Sequence, residues 1–196
     1  MVAAPAPLFK NIFIDTIDMP KLHGKKYIVQ CRCLLSTWPE WRALASENTT
    51  TIGYWIFQDI ICRWGSLYEI VTNNRGPFVK AMEYLSKQYQ LNHIHISGYN
   101  SQANGIVEQA HFNVQQSLFK AAGGVEAKWL PVAYSVFWAE WVIVQKWLGC
   151  SLFYIMTGTE PLLPMDIVEA LYLLLPPDSV LSTTALIAQR AIALQK

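Results

Sequence analysis

The chain has 196 residues, 53% of them hydrophobic and 15% charged, the latter well below the about 25% of an average soluble domain. That length holds one domain of ordinary to large size, or one domain with a C-terminal appendage, and can bury a sizeable core. With 15 basic against 14 acidic residues the net charge is +1. Bulk electrostatics are thereby excluded as a driver of nucleic-acid binding, and any such surface has to be a local patch.

Met1 to Lys10 has neither a basic n-region nor a long apolar h-region, so it does not read as a secretory signal. Leu8 to Ile17 is an apolar run with β-branched and aromatic residues, predicting a central strand that ends near Asp15. Met19 to Lys26, with Pro20 and Gly24, reads as a turn, Tyr27 to Leu35 as a second strand and Trp38 to Leu44 as a third, in an antiparallel meander. Thr49, Thr50 and Thr51 are N-cap candidates for a helix whose apolar positions Ile52, Trp55, Ile56, Ile60 and Ile61 recur until Gly65. Leu67 to Thr72 is a fourth strand, parallel to its neighbour because a helix crosses over before it.

Pro77 opens a second helix, marked by Phe78, Met82, Leu85 and Tyr89, and Asn92 to Ile96 is a fifth strand. From Val107 the apolar positions Ala110, Val114, Leu118 and Ala121 mark one face of a further helix, ended by Gly123-Gly124. Trp129 to Lys146 reads as a helix. Its apolar stretch is broken by Pro131 and Glu140 and is too short to span a bilayer, so no membrane partner is expected. Gly149 to Pro164 reads as irregular, and Leu181 to Leu194 as a last amphipathic helix within a C-terminal helical extension, 167–196. Cys31, Cys33, Cys62 and Cys150 contain no C-x-x-C pair, and three of them lie among apolar residues; they read as reduced thiols of an intracellular, nuclear or cytoplasmic protein. The element order gives an α/β fold: a mixed sheet covered by helices.

Chemistry concentrates at three places. Asp15 ends the first strand, Asn73 follows the fourth, and Glu108 stands in the first turn of a helix entered through the polar loop Tyr99-Asn100-Ser101-Gln102-Ala103-Asn104-Gly105. If strands one and four are parallel neighbours these converge on one sheet edge. Carboxylates there hold divalent metal ions that clamp the attacking and leaving oxygens of a phosphodiester, and the neutral amides of Asn100, Gln102 and Asn104 suit a phosphate backbone. Ile14-Asp15-Thr16, Ile70-Val71-Thr72-Asn73-Asn74 with Pro77-Phe78, and Tyr99-Asn100 through Gly105-Ile106-Val107-Glu108 resemble the three signature blocks of the catalytic core of retroviral and LTR-retrotransposon integrases, the Ty3/gypsy type above all. Ser151-Leu152-Phe153-Tyr154 through Pro164-Met165-Asp166 is similar to the segment that closes such domains.

The resemblance implies a ribonuclease H-like core over 9–166 behind a tail, 1–8, with a five-stranded mixed sheet. It implies DNA integration by polynucleotidyl transfer, with Asp15, position 73 and Glu108 as the catalytic, metal-binding residues for two Mg²⁺ or Mn²⁺. It further implies DNA as partner, both element ends and target, with a possible RNA contact, and a homo-oligomer. Asn100, Gln102, Asn104 and Lys120 are the nucleic-acid-binding candidates. No His/Cys zinc module precedes the core in these residues, and no chromodomain or basic tail follows it.

The departures bear on activity. Where the family has Thr-Asp-Asn-Gly this chain has Thr72-Asn73-Asn74-Arg75, so the second acidic ligand is an amide; Glu108 follows it at the family's spacing (108 − 73 = 35). Asn73 brings no negative charge to a hard cation, so catalysis is expected to be absent or severely impaired. Arg75 puts a positive charge beside the site, where pairing with Asp15 or Glu108 is expected. Gln109, Ala110, Phe112, Gln115 and Gln116 stand where the family carries basic residues, which weakens the expected hold on phosphates.

Blander readings stand beside these. His93 and His95 share a strand face, with no second pair at zinc spacing, and His111 reads as a packing residue. The Trp residues read as core or interface anchors, and Asp18, Glu69 and Asp59 as solvated charges. Asp59 is also the only candidate for the first-helix acid that a ribonuclease H needs. The competing function is a non-catalytic nucleic-acid-binding or assembly module that keeps the fold, separated from an integrase by loss of strand transfer.

Overall fold

A computed structural model describes residues 8–65, 67–73, 75–96, 112–125, 128–146, 148–162 and 182–193. The chain divides into two compact units, Met1–Glu108 and Gln109–Lys196.

The first unit holds a five-stranded sheet of order β3-β2-β1-β4-β5, formed by β1 (Asn11–Leu22), β2 (Lys25–Cys33), β3 (Pro39–Leu44), β4 (Glu69–Asn73) and β5 (Asn92–Ile96). β1 to β3 form the expected antiparallel meander, whereas β4 runs parallel to β1 and β5 parallel to β4. The sheet is therefore mixed, and helices flank it, as the element order predicts.

β1 is longer than its sequence suggests. It runs through Met19 and Pro20 to Leu22, and the turn shrinks to His23-Gly24, with φ of 46° and 77°. Two positive φ values make a type I′ hairpin, whose twist matches that of the flanking strands, and Gly24 takes its φ without a Cβ penalty. Pro20 is tolerated because pairing with β4 ends at Ile14, and the β2 ladder is irregular between Asp18 and Leu22.

The first helix, α1, covers 49–64 and contains a π-helical stretch, Ile56–Ile61. Its N-cap is Asn48, one residue before the threonines, with Oδ1 accepting from the Thr51 N–H at 2.8 Å. It stops at Gly65, whose φ of 85° and ψ of −161° suit only glycine. Ile52, Trp55, Ile56 and Ile60 are fully buried. α2 (Gly76–Tyr89) carries Pro77 in its first turn and buries Phe78, Ala81, Met82 and Leu85.

α1 is fastened to β3 through charges. Arg42 reaches Asp59 at 2.7 Å, so Asp59 is a paired structural carboxylate and not the solvated charge its sequence suggests. Glu40, 4% exposed, accepts from the indole N–H of Trp38 at 3.2 Å and of Trp64 at 3.1 Å, and pairs with Arg63 at 2.9 Å. Phe9 stacks on Trp64 with ring centroids 4.3 Å apart. Burial pushes the Glu40 carboxyl above its ordinary value of 4.5, opposed by the hydrogen bond from Trp38 and the charge of Arg63.

The folded state therefore holds the Glu40 proton more tightly than the unfolded chain does. Ionised Glu40 opposes folding above the raised value, and that penalty fades as pH falls toward 4.5. Glu40→Gln keeps an acceptor for both indoles and removes the charge. Its stability relative to the wild type is expected to be higher at pH 7 than at pH 5 in paired thermal melts; a difference independent of pH would show that Glu40 does not titrate this way.

The second unit is helical in its described residues. α3 (112–121) buries Val114, Ser117, Leu118 and Ala121, which continues the predicted face, and gives way to a turn at Gly123-Gly124. α4 (Trp129–Val142) ends before Lys146, because Ile143 turns extended and Val144 bridges Ser151. It is apolar on nearly every side and packs against α6 (Thr183–Ala193), which buries Ile187, Ala188 and Ala191. The stretch read as irregular contains a short helix, α5 (Leu152–Thr157), capped by Ser151 Oγ accepting from the Tyr154 N–H at 3.0 Å. Cys31 and Cys33 are buried and Cys150 is half-buried, but Cys62 is exposed; all four are free thiols. No helix among the described residues is long and apolar enough to cross a membrane.

Candidate active site

Asp15 lies inside β1, directly across the ladder from Gln30. On its other side the parallel pairing with β4 ends at Ile14 opposite Thr72. Asp15 and Asn73 are each the next residue, so the backbone brings them together where β4 terminates. The carboxyl ends of parallel strands are where open α/β sheets build their sites. Asp15 thus reaches a strand end, but the end is that of its neighbour. Its Oδ1 accepts from the Thr16 N–H at 2.7 Å.

The rim of this site is a charged network. Thr16 Oγ1 donates to Glu47 at 2.7 Å, and Arg75 Nη1 lies 3.3 Å from Glu47 Oε1 and 3.7 Å from Asp18. The carboxylates that Arg75 meets here are Glu47 and Asp18, so its charge ties the β1 strand and the loop before α1 to the start of α2. Glu47 is a residue the sequence reading missed. Nothing in its local pattern distinguishes it, because its partners lie 31 and 28 positions away. Thr72 Oγ1 and His93 Nε2 meet at 2.8 Å across β4 and β5, so His93 takes a hydrogen-bonding role within the sheet.

Glu108, Asn100, Gln102, Asn104 and His111 lie outside the described residues. Lys120 is exposed on α3, and its Nζ donates to Thr184 Oγ1 of α6 at 3.2 Å.

Gln30 is the second residue missed. It is 1% exposed, and neither its Oε1 nor its Nε2 has a hydrogen-bond partner. Its sequence signal is a single amide inside the apolar run Tyr27-Ile28-Val29-Gln30-Cys31. The carboxylate of Asp15 and the unpartnered amide of Gln30 both offer oxygen, as hard cations require. The described residues contain no group of three His, Cys, Asp or Glu side chains able to hold a metal. The donor type therefore fits a cation such as Mg²⁺ or Mn²⁺, with little negative charge to bind it.

No family model and no curated protein matches the chain. Among solved structures, the chain is similar to the catalytic core domain of BIV integrase, with a TM-score of 0.57 and 20% sequence identity, over 75% of this chain and 93% of that one. The likeness is one of fold: the five-stranded mixed sheet with flanking helices is the ribonuclease H-like integrase core fold.

Proposed function

We propose that this chain is an integrase-type catalytic core of a Ty3/gypsy-type retroelement, acting on element ends and target DNA, with its chemistry impaired at Asn73. The observation that carries this reading is the parallel register that sets Asp15 beside Asn73, with Glu108 at the family's distance from Asn73. The core spans 9–166, the segment 167–196 extends it, and self-association within the cell follows from the same reading.

Asp15, Asn73 and Glu108 are the residues that would hold the divalent ions. When bound, such ions supply a nucleophilic oxygen and stabilise charge on the phosphodiester. The chain's own part is to orient them. Pairing with β2 fixes the Asp15 backbone, and the Thr16 N–H donates to one of its carboxylate oxygens. Asn100, Gln102 and Asn104 bond phosphate oxygens without adding charge, so positioning on DNA relies on hydrogen bonds more than on counterion release.

The test is a Mn²⁺-dependent disintegration assay on labelled branched DNA, comparing the wild type with Asp15→Asn. A weak product that disappears in Asp15→Asn is expected, together with duplex binding of shallow salt dependence. Equal product from both proteins would overturn the site. A folded chain that binds DNA and never yields product in either form would favour a non-catalytic binding module.

A further inference from the structure

Gln30 stands in one row across the sheet, paired with Asp15 on one side and with Trp41 on the other. Residues directly opposed in an antiparallel ladder project to the same face, with Cβ atoms about 4.5–5.5 Å apart. The Gln30 side chain therefore leaves the sheet next to that of Asp15, yet its amide makes no hydrogen bond to the carboxylate or to any other group. Buried amides are ordinarily satisfied, and an orphaned one marks a place where a water, an ion or a ligand belongs.

Building on the proposed function, we infer that Gln30 is a positioning residue of the Asp15 site, whose amide is completed by the water shell of a divalent cation. Were the ion bound, one of its waters would donate to the Gln30 Oε1, while the Nε2 would donate to an oxygen that is not spent on the ion. Mg²⁺-type ions suit this arrangement, since they keep several waters and are anchored by one or two carboxylates. An uncharged amide also brings no repulsion when the site is empty of cations. The stability of the protein without the ion and its affinity for the ion are thereby set against each other at a single side chain.

The experiment uses the full chain and Mn²⁺ alone, with thermal melts in chelator and Mn²⁺ titrations followed by electron paramagnetic resonance. Gln30→Met, similar in shape and without the orphaned amide, is expected to melt about 2–4 °C higher in chelator. It is also expected to bind Mn²⁺ ~10-fold or more weakly, the scale of loss seen when the hydrogen-bonding partners around a metal are removed. Gln30→Glu, the second variant, is expected to bind Mn²⁺ more tightly than the wild type. A lower melting point for Gln30→Met in chelator would overturn the proposal, because the amide would then be satisfied within the fold. So would unchanged Mn²⁺ affinity in both variants while Asp15→Asn loses it, an outcome that leaves the Asp15 site standing without Gln30. Failure of the wild type to bind Mn²⁺ at all would remove both readings together.

Discussion

Asn73→Asp is expected to raise Mn²⁺-dependent strand transfer by at least ~10–100-fold, the range lost when even indirect partners of a metal are removed. The position is a direct neighbour of Asp15 at the end of β4, where the backbone register is already set. Asp differs from Asn there by a full negative charge at almost unchanged volume, so the gain comes from attraction to a divalent ion and not from repacking. Mn²⁺ affinity should rise in parallel, measured in the same titrations. A variant that binds Mn²⁺ more tightly but gains no activity would place the defect on the DNA side, at Gln109, Gln115 and Gln116. A variant that gains neither would show that the end of β4 is not part of an ion site.

The fold was legible in the sequence where burial on both sheet faces forces continuous apolar strands, as in β1, β2 and β4. Boundaries failed where long-range pairing overrides local signals. Pro20 reads as a turn residue, yet it sits in β1 beyond the last residue paired with β4, where a missing N–H breaks no bond on that side. Gly149 and Pro161 masked α5, whose start depends on the Ser151 cap and whose flank is pinned by the Val144–Ser151 bridge. The π-helical stretch of α1 has the same apolar spacing as an ordinary helix and left no mark in the pattern.

The candidate site divides along the same line. That Asp15 and Asn73 come together was readable from their short blocks and the helical crossover between the two strands. Glu47, Arg75 and Gln30 acquire their roles only through tertiary contact, since their partners come from other elements or, for Gln30, are absent from the fold. Asp59 shows the converse: an isolated acid in a helix reads as solvated until Arg42 on β3 is placed 2.7 Å from it. Charge pairing across elements is invisible to periodicity, because periodicity reports only on the faces of a single element.

Glu40→Leu is expected to destabilise the protein by ~2–4 kcal/mol, equivalent to a fall in melting temperature of about 5–15 °C. The loss does not come from burial of apolar area, since leucine fills the space about as well. It comes from the Trp38 indole N–H, whose hydrogen bond is buried, and from that of Trp64, both of which lose the Glu40 carboxylate as acceptor. Arg63, more than half exposed, regains water and contributes little. Glu40→Gln restores an acceptor and is expected to recover most of the stability at pH 7, which separates hydrogen bonding from charge. If both variants were equally destabilised, the ion pair with Arg63 would be the dominant link between β3 and α1. If neither were, the stacking of Phe9 on Trp64 and the apolar face of α1 would suffice to hold the helix on the sheet.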